Sequence, residues 1–115
     1  MTDCIFCKIA SGEIPSDCVY EDEYVYVFKD INPQAPTHLL VIPKAHIASL
    51  GDITSENSDI AAKCLEVIAL LKDRLGLDSG FRVISNCGED AGQTVFHLHF
   101  HVLAGEPMGE GLLAR

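Results

Sequence analysis

The sequence predicts an α+β domain: a mainly antiparallel five-stranded sheet, one long helix and a short N-terminal helix. Strand-like runs and one strongly periodic helix follow each other as strand, strand, strand, helix, strand, strand, with no repeated βαβ pattern. The connections are short, which favours antiparallel neighbours and a helix laid on one face of the sheet. A chain of 115 residues, 48% of them hydrophobic, supplies one packed core, so residues 1–115 read as a single domain.

The first element is Cys4–Ala10, where Ile5, Phe6 and Ile9 fall at helical spacing and Ser11-Gly12 ends the turn. Cys18–Glu21 and Tyr24–Lys29 are β-branched and aromatic runs around Asp22-Glu23, a hairpin signature. Two prolines make Asn32–Thr37 a loop. His38–Ile42 is an apolar run stopped by Pro43, and reads as a buried strand. The long helix carries Ile60, Cys64, Val67, Ile68, Leu71 and Leu75 on one face. Thr54 or Ser55 is placed to cap its start, Lys72 and Arg74 suit the negative end of its dipole, and Gly76 suits the position just past it. Phe81–Asn86 and Phe96–Val102 are the last strands, joined by the Gly-rich, acidic turn Cys87–Thr94.

Charge and composition narrow the function. Eight Lys and Arg against seventeen Asp and Glu give a net charge of −9, and the cations form no basic stripe. Nucleic-acid affinity comes mainly from neutralised phosphates, so a polymer partner is not expected, although a small anion remains possible through backbone N–H groups and a few local donors. No apolar run approaches the ~20 residues of a membrane span. Met1-Thr2-Asp3-Cys4 has neither a basic lead nor an apolar signal core, which predicts a cytoplasmic protein. Five cysteines without an export signal argue against a disulfide framework, and Cys18, Cys64 and Cys87 read as packing residues.

The run Phe96-His97-Leu98-His99-Phe100-His101-Val102 carries the chemistry. Side chains alternate across a strand, so Phe96, Leu98, Phe100 and Val102 face the core and His97, His99 and His101 line the other face. A strand needs no such row for stability. Metal binding is one use for it, but alternate residues rise ~6.6 Å apart, so one ion reaches two neighbours and hardly all three. Nucleophilic catalysis is the other: a neutral imidazole attacks phosphorus through one nitrogen when its other nitrogen is held, and flanking imidazoles donate hydrogen bonds to phosphate oxygens.

This run, preceded by Gly92-Gln93-Thr94-Val95, resembles the histidine triad (HIT) family. Asp30-Ile31-Asn32-Pro33-Gln34-Ala35-Pro36-Thr37-His38 is similar to the family's first half-motif, Ile42-Pro43-Lys44-Ala45-His46-Ile47 to its second, and Cys4-Ile5-Phe6-Cys7-Lys8-Ile9 to its usual opening. The size and the segment Ala35–His38 resemble the nucleotide-binding, Hint-like branch, which implies a HIT-like fold and cleavage of purine nucleoside phosphoramidates.

The resemblance implies a role for each matching residue. His99 is the nucleophile that forms a nucleotidyl-histidine, His101 a phosphate ligand and orienting group, and His38 the separate histidine beside the triad. Asp30 accepts hydrogen bonds from the ribose hydroxyls, though an Asp before a Pro-rich loop is also a common turn residue. Phe6, Ile9, Phe28 and Ile31 line the base pocket. Asn86 and Thr94 contact the phosphate or leaving group, with Gln93 in the same loop. Cys4, Cys7, His46 and His97 form a closed two-thiolate, two-imidazole set for a structural zinc, with no catalytic metal expected at phosphorus; a reduced or redox-active Cys pair is the alternative. The chain departs from the family in its tail, which holds no Trp.

A homodimer is also expected. Ala61, Ala62, Leu65, Ala69 and Leu70 surround the helix's core stripe, and one sheet face cannot cover all of them. Alternatively, the alanines among them pack beneath the N-terminal helix. Three other functions compete with the phosphoramidase: a metal-dependent hydrolase, a nucleotide-binding module with little turnover, and a dinucleoside polyphosphate hydrolase.

Overall fold

The computed structural model describes residues 4–111; the N-terminal Met1-Thr2-Asp3 and the end of the tail, Leu112-Leu113-Ala114-Arg115, lie outside the described residues. Helix α1 spans Ile5–Ala10, strands β1 Cys18–Glu21, β2 Val25–Lys29 and β3 Thr37–Pro43 follow, then helix α2 Ser58–Leu75 and strands β4 Phe81–Ile84 and β5 Phe100–Ala104. Every pairing in the five-stranded sheet is antiparallel, in the order β1-β2-β3-β5-β4. The α+β prediction therefore holds, and the hairpin turns where Asp22-Glu23 placed it.

The two helices take opposite faces of the sheet. Cys64, Val67, Ile68 and Leu71 of α2 pack on Val25, Val27, Leu39, Val41, Phe100 and Val102. Each fully buried aliphatic side chain in this core contributes about 1.5–3 kcal/mol. On the other face, Phe6, Ile9 and Ala10 of α1 pack on Tyr26, Phe28, Leu40 and Ile42. The exposed Ala62, Leu65 and Ala69 of α2 therefore do not pack beneath α1. No helix among the described residues is long and apolar enough to cross a membrane.

Local chemistry moves several boundaries. Thr54 and Ser55 do not cap α2. The Thr54 N–H donates to Asn57 Oδ1 at 2.7 Å and the Glu56 N–H to Thr54 Oγ1 at 3.2 Å, so these residues form a turn and the helix begins at Ser58. Its C-terminus matches prediction, because Gly76 takes φ +67°, a left-handed cap that favours glycine. Ile60 is half-buried and Leu75 is 43% exposed, so the core stripe is shorter than its periodicity implies. Strand β4 ends at Ile84, short of Asn86. Strand β5 begins at Phe100, and Phe96 is 53% exposed, contrary to its predicted place in the core. Residues 96–99 lie beyond the end of β4, and the Leu98 N–H donates to the Ile47 carbonyl at 2.6 Å in place of a ladder partner. Of the cysteines read as packing residues, Cys64 is buried, and burial pushes its thiol up to about 12. Cys18 and Cys87 are exposed, because Cys18 opens the edge strand β1 and Cys87 lies in the turn beyond the end of β4.

Candidate active site

The alternation predicted for the histidine run survives where it matters. Leu98, Phe100 and Val102 belong to the core beneath α2, while His97, His99 and His101 take the face shared with α1. Here the imidazoles form two contacting sets, His46 with His97 and His99 with His101 and His38, with Phe6 against both His97 and His99. Ring centroids of His46 and His97 are 5.0 Å apart, His99 and His101 5.2 Å, and His38 and His101 5.2 Å. The register that pairs Leu40 with His101 and His38 with Leu103 brings His38 beside the run.

Backbone carbonyls fix the protons on the central rings, because a carbonyl only accepts. His99 Nδ1–H donates to the His97 carbonyl at 2.7 Å, so in the uncharged form of the ring the lone pair lies on Nε2. The His99 carbonyl in turn accepts the Ser85 hydroxyl at 2.8 Å, holding the main chain at this point. His97 Nε2–H donates to the Pro43 carbonyl at 2.8 Å, so its lone pair lies on Nδ1. Burial, the main cause, pushes the His97 and His101 pKa values below their ordinary range, as do neighbouring imidazoles; the Pro43 carbonyl and Asp30 respectively oppose this. Both rings are held neutral at physiological pH.

The His97 lone pair faces sulfur. Cys4 Sγ lies 3.3 Å and Cys7 Sγ 3.5 Å from His97 Nδ1, and Cys7 Sγ lies 3.4 Å from His46 Nδ1. One ligand atom from each of these residues falls within 4.8 Å of all the others. A tetrahedral ion with ~2.3 Å bonds to sulfur and ~2.05 Å bonds to nitrogen separates the two ligand types by about 3.5 Å, so the donor set fits. Cys4 also caps α1, its sulfur accepting the Cys7 N–H at 3.3 Å. Burial and the neighbouring Cys4 raise the Cys7 pKa, so deprotonation falls to whatever the cluster binds.

The same short helix carries an apolar cluster packed beside His99. The Phe6 ring meets His99 edge-on at 5.1 Å and Phe28 at 5.6 Å, and Ile9 is buried in the same cluster. Ile31 does not join them: it is fully exposed on the loop after β2. In that loop Asp30 Oδ1 accepts the Asn32 N–H at 2.8 Å, an Asx turn, while Oδ2 lies 3.4 Å from His38 Nε2. His38 Nε2 is closer to His101 Nδ1, at 2.9 Å, and its Nδ1 accepts the Gln34 N–H at 3.0 Å.

The loop before the histidines is organised by Gln93, which is buried. Its Oε1 accepts the Gly88 N–H at 2.8 Å, and its Nε2 donates to the Ala48 and Val95 carbonyls at 2.8 and 3.1 Å. Thr94 beside it is exposed, and Asn86 is half-buried. Sequence reasoning missed Ile5, which is 47% exposed and shares a cavity of about 390 Å³ with Thr94, Val95 and Phe96. It also missed the Pro43 and His97 carbonyls and the Gln34 N–H, main-chain groups with no side-chain signature.

Comparison with known proteins follows from this geometry. The family model of the HIT domain matches residues 11–108. This chain belongs to the histidine triad family. It is 42% identical to purine nucleoside phosphoramidase of Escherichia coli K12 over 106 residues, covering 91% of this chain and 89% of that one. It is 47% identical to Protein HitA of Neisseria gonorrhoeae over 103 residues, covering 90% and 96%. Among solved structures, a histidine triad protein from Clostridium difficile superposes with a TM-score of 0.93 at 53% identity, covering 96% of this chain and 97% of that one. A HIT family hydrolase from Clostridium thermocellum gives 0.95 at 47%, covering 98% and 99%.

Proposed function

We propose that this HIT protein is a hydrolase of purine nucleoside 5′-phosphoramidates and related nucleoside monophosphate conjugates, acting through a nucleotidyl-histidine on His99. The observation that carries this reading is the free Nε2 of His99, created by the hydrogen bond from Nδ1 to the His97 carbonyl. In the first step the Nε2 lone pair attacks the α-phosphorus, and the P–N bond breaks with its electron pair leaving on the amine, which takes a proton from water. His101 ligates the phosphoryl oxygens, Thr94 and Asn86 contact the phosphate or leaving group, and Gln93 holds their loop in place. In the second step water breaks the P–Nε2 bond and releases the nucleoside monophosphate. The relationship to a purine nucleoside phosphoramidase supports this choice of substrate.

Phe6, Ile9 and Phe28 form the base wall, exposed Ile31 offers a further apolar contact from the loop, and Asp30 reads the ribose hydroxyls. Asp30→Ala weakens ribose ligands by about 1.5–3 kcal/mol, the loss expected for charge-assisted hydrogen bonds, and spares deoxyribose analogues. Calorimetric titration with both ligand types checks this; equal losses would reduce Asp30 to a turn residue.

Cys4, Cys7, His46 and His97 hold a structural zinc, which when bound clamps α1 to the sheet and leaves no coordination position open for chemistry. Five cysteines with no disulfide among them suit a reducing, cytoplasmic setting. The protein works as a homodimer. Leu65 on α2 is 54% exposed and the edge strand β4 exposes Val83 and Ile84 at 39% and 37%, an apolar surface that a second copy would cover. Light scattering at micromolar concentration should give twice 12.5 kDa, and a concentration-independent 12.5 kDa would exclude the dimer.

Adenosine and guanosine phosphoramidates assayed beside diadenosine polyphosphates test the substrate class. Faster turnover of the phosphoramidates is expected. Preference for the polyphosphates would make the protein a dinucleotide hydrolase.

A further inference from the structure

His99 lies beyond the end of both ladders that hold β5. Pairing with β3 stops at Val41 opposite Phe100, and pairing with β4 stops at Ile84 opposite His101. Two steps further along the β3 register stands Pro43, which has no N–H to donate to a ladder. Other contacts therefore hold this end of the chain. The Leu98 N–H donates to the Ile47 carbonyl at 2.6 Å, and the His99 Nδ1–H to the His97 carbonyl at 2.7 Å. These act before the His99 Cα or on its ring. The peptide group that leads from His99 into β5 is gripped differently: the Ser85 hydroxyl donates to the His99 carbonyl at 2.8 Å, an ordinary length for an O–H donor. Ser85 is half-buried, directly follows β4, and is anchored by the ladder at Ile84 one residue before it.

Building on the proposed function, we infer that Ser85 is a positioning residue for the nucleophile: its hydroxyl holds the His99 main chain where the sheet no longer does, and so keeps Nε2 on the line of attack at phosphorus. The His99 ring is tied to its own segment through the His97 carbonyl, so a shift of that segment carries the ring with it. Phe6 limits the ring by a single edge-on contact at 5.1 Å. Attack needs the reacting atoms about 3–3.5 Å apart and aligned, and a misplacement of about 1 Å costs roughly 100-fold in rate. After Ile84 the chain leaves the ladder for the turn in which Gln93 accepts the Gly88 N–H, so at this point a side chain takes over the work of the sheet. A hydroxyl that merely satisfied a strand-end carbonyl would affect stability and leave the rate of the folded protein unchanged. One that positions His99 acts on the rate.

Ser85→Thr and Ser85→Val test this as a pair of nearly equal shape, one with the hydroxyl and one without. With an adenosine phosphoramidate, Ser85→Val is expected to lose about tenfold or more in kcat while the Kd for the nucleoside monophosphate stays within about twofold, and Ser85→Thr to keep kcat within about threefold of the unaltered protein. Ser85→Ala, which removes the hydroxyl without adding bulk, is expected to lose as much as Ser85→Val. NMR of the free protein supplies a readout that needs no substrate. The His99 carbonyl ¹³C shift and the NOEs between the His99 and Phe6 rings are expected to change in Ser85→Val and Ser85→Ala and to persist in Ser85→Thr. Equal kcat in the Thr and Val variants, or His99–Phe6 NOEs unchanged without the hydroxyl, would overturn the proposal. If the unaltered protein cleaves no phosphoramidate, the proposed function fails, while the NMR comparison still decides whether Ser85 holds His99.

Discussion

His99→Ala abolishes turnover, lowering kcat by about 10⁴-fold or more, which corresponds to about 5.5 kcal/mol of lost transition-state stabilisation. Nucleotide binding is expected to survive, because the proposed nucleoside contacts Phe6, Phe28 and Asp30 are carried by α1, β2 and the following loop; Phe6 loses its edge-on contact with the His99 ring but keeps that with Phe28. The expected pattern is a collapse of kcat with a Kd for the nucleoside monophosphate within about threefold of the original, the signature of an interaction made only in the reaction. Single-turnover kinetics together with calorimetric binding separates the two quantities. A variant that keeps a tenth of the rate would remove His99 from the chemistry, and a variant that loses binding in equal measure would make it a ligand group.

The second large effect concerns α1. Protein purified without chelator carries about one zinc per chain, and Cys4→Ser or Cys7→Ser loses it. At free zinc 1,000 times its Kd, bound metal adds about 4 kcal/mol to folding stability, a loss of many degrees in melting temperature for a domain of this size. The consequence reaches the cleft, because Phe6 lies between Cys4 and Cys7 in sequence and against His99 in space. The backbone of His97, whose carbonyl orients His99, is anchored through the same cluster. Activity nevertheless survives chelation as long as the fold does, since the four ligands leave no open position. Metal analysis and thermal melts check these points. A zinc-free protein of unchanged stability would refute the clamp, and activity lost on chelation with the fold intact would point to a catalytic metal.

Side-chain patterns made much of this legible. The 3.6-residue period of α2, the strand end at Pro43 and the hairpin around Asp22-Glu23 each follow from the local order of residues. The alternation of His97, His99 and His101 places three imidazoles on one face, and the resemblance to the histidine triad family marks His38 and His46, which the fold brings beside His101 and His97 respectively. What the sequence hid depends on the main chain. Strand β5 starts at Phe100 although β3 runs on to Pro43, because the main-chain groups just before it bond elsewhere, the Leu98 N–H to the Ile47 carbonyl and the His97 carbonyl to the His99 ring. The cap of α2 failed because Asn57 satisfied the Thr54 N–H first. The tautomers of His97, His99 and His38 are set by the Pro43 carbonyl, the His97 carbonyl and the Gln34 N–H, groups that every residue of those types carries. In the sequence Gln93 stands out for its place in the loop that the family resemblance assigns to phosphate contacts; in the fold, its amide ties Gly88, Ala48 and Val95 together.

The covalent step decides the account most directly. Protein mixed with an adenosine phosphoramidate, quenched during turnover and digested under conditions that preserve phosphoramidate bonds, should yield one peptide heavier by a nucleoside monophosphate, with fragmentation locating the adduct on His99. An adduct on His97 or His101, or turnover with no adduct at any quench time, would contradict it.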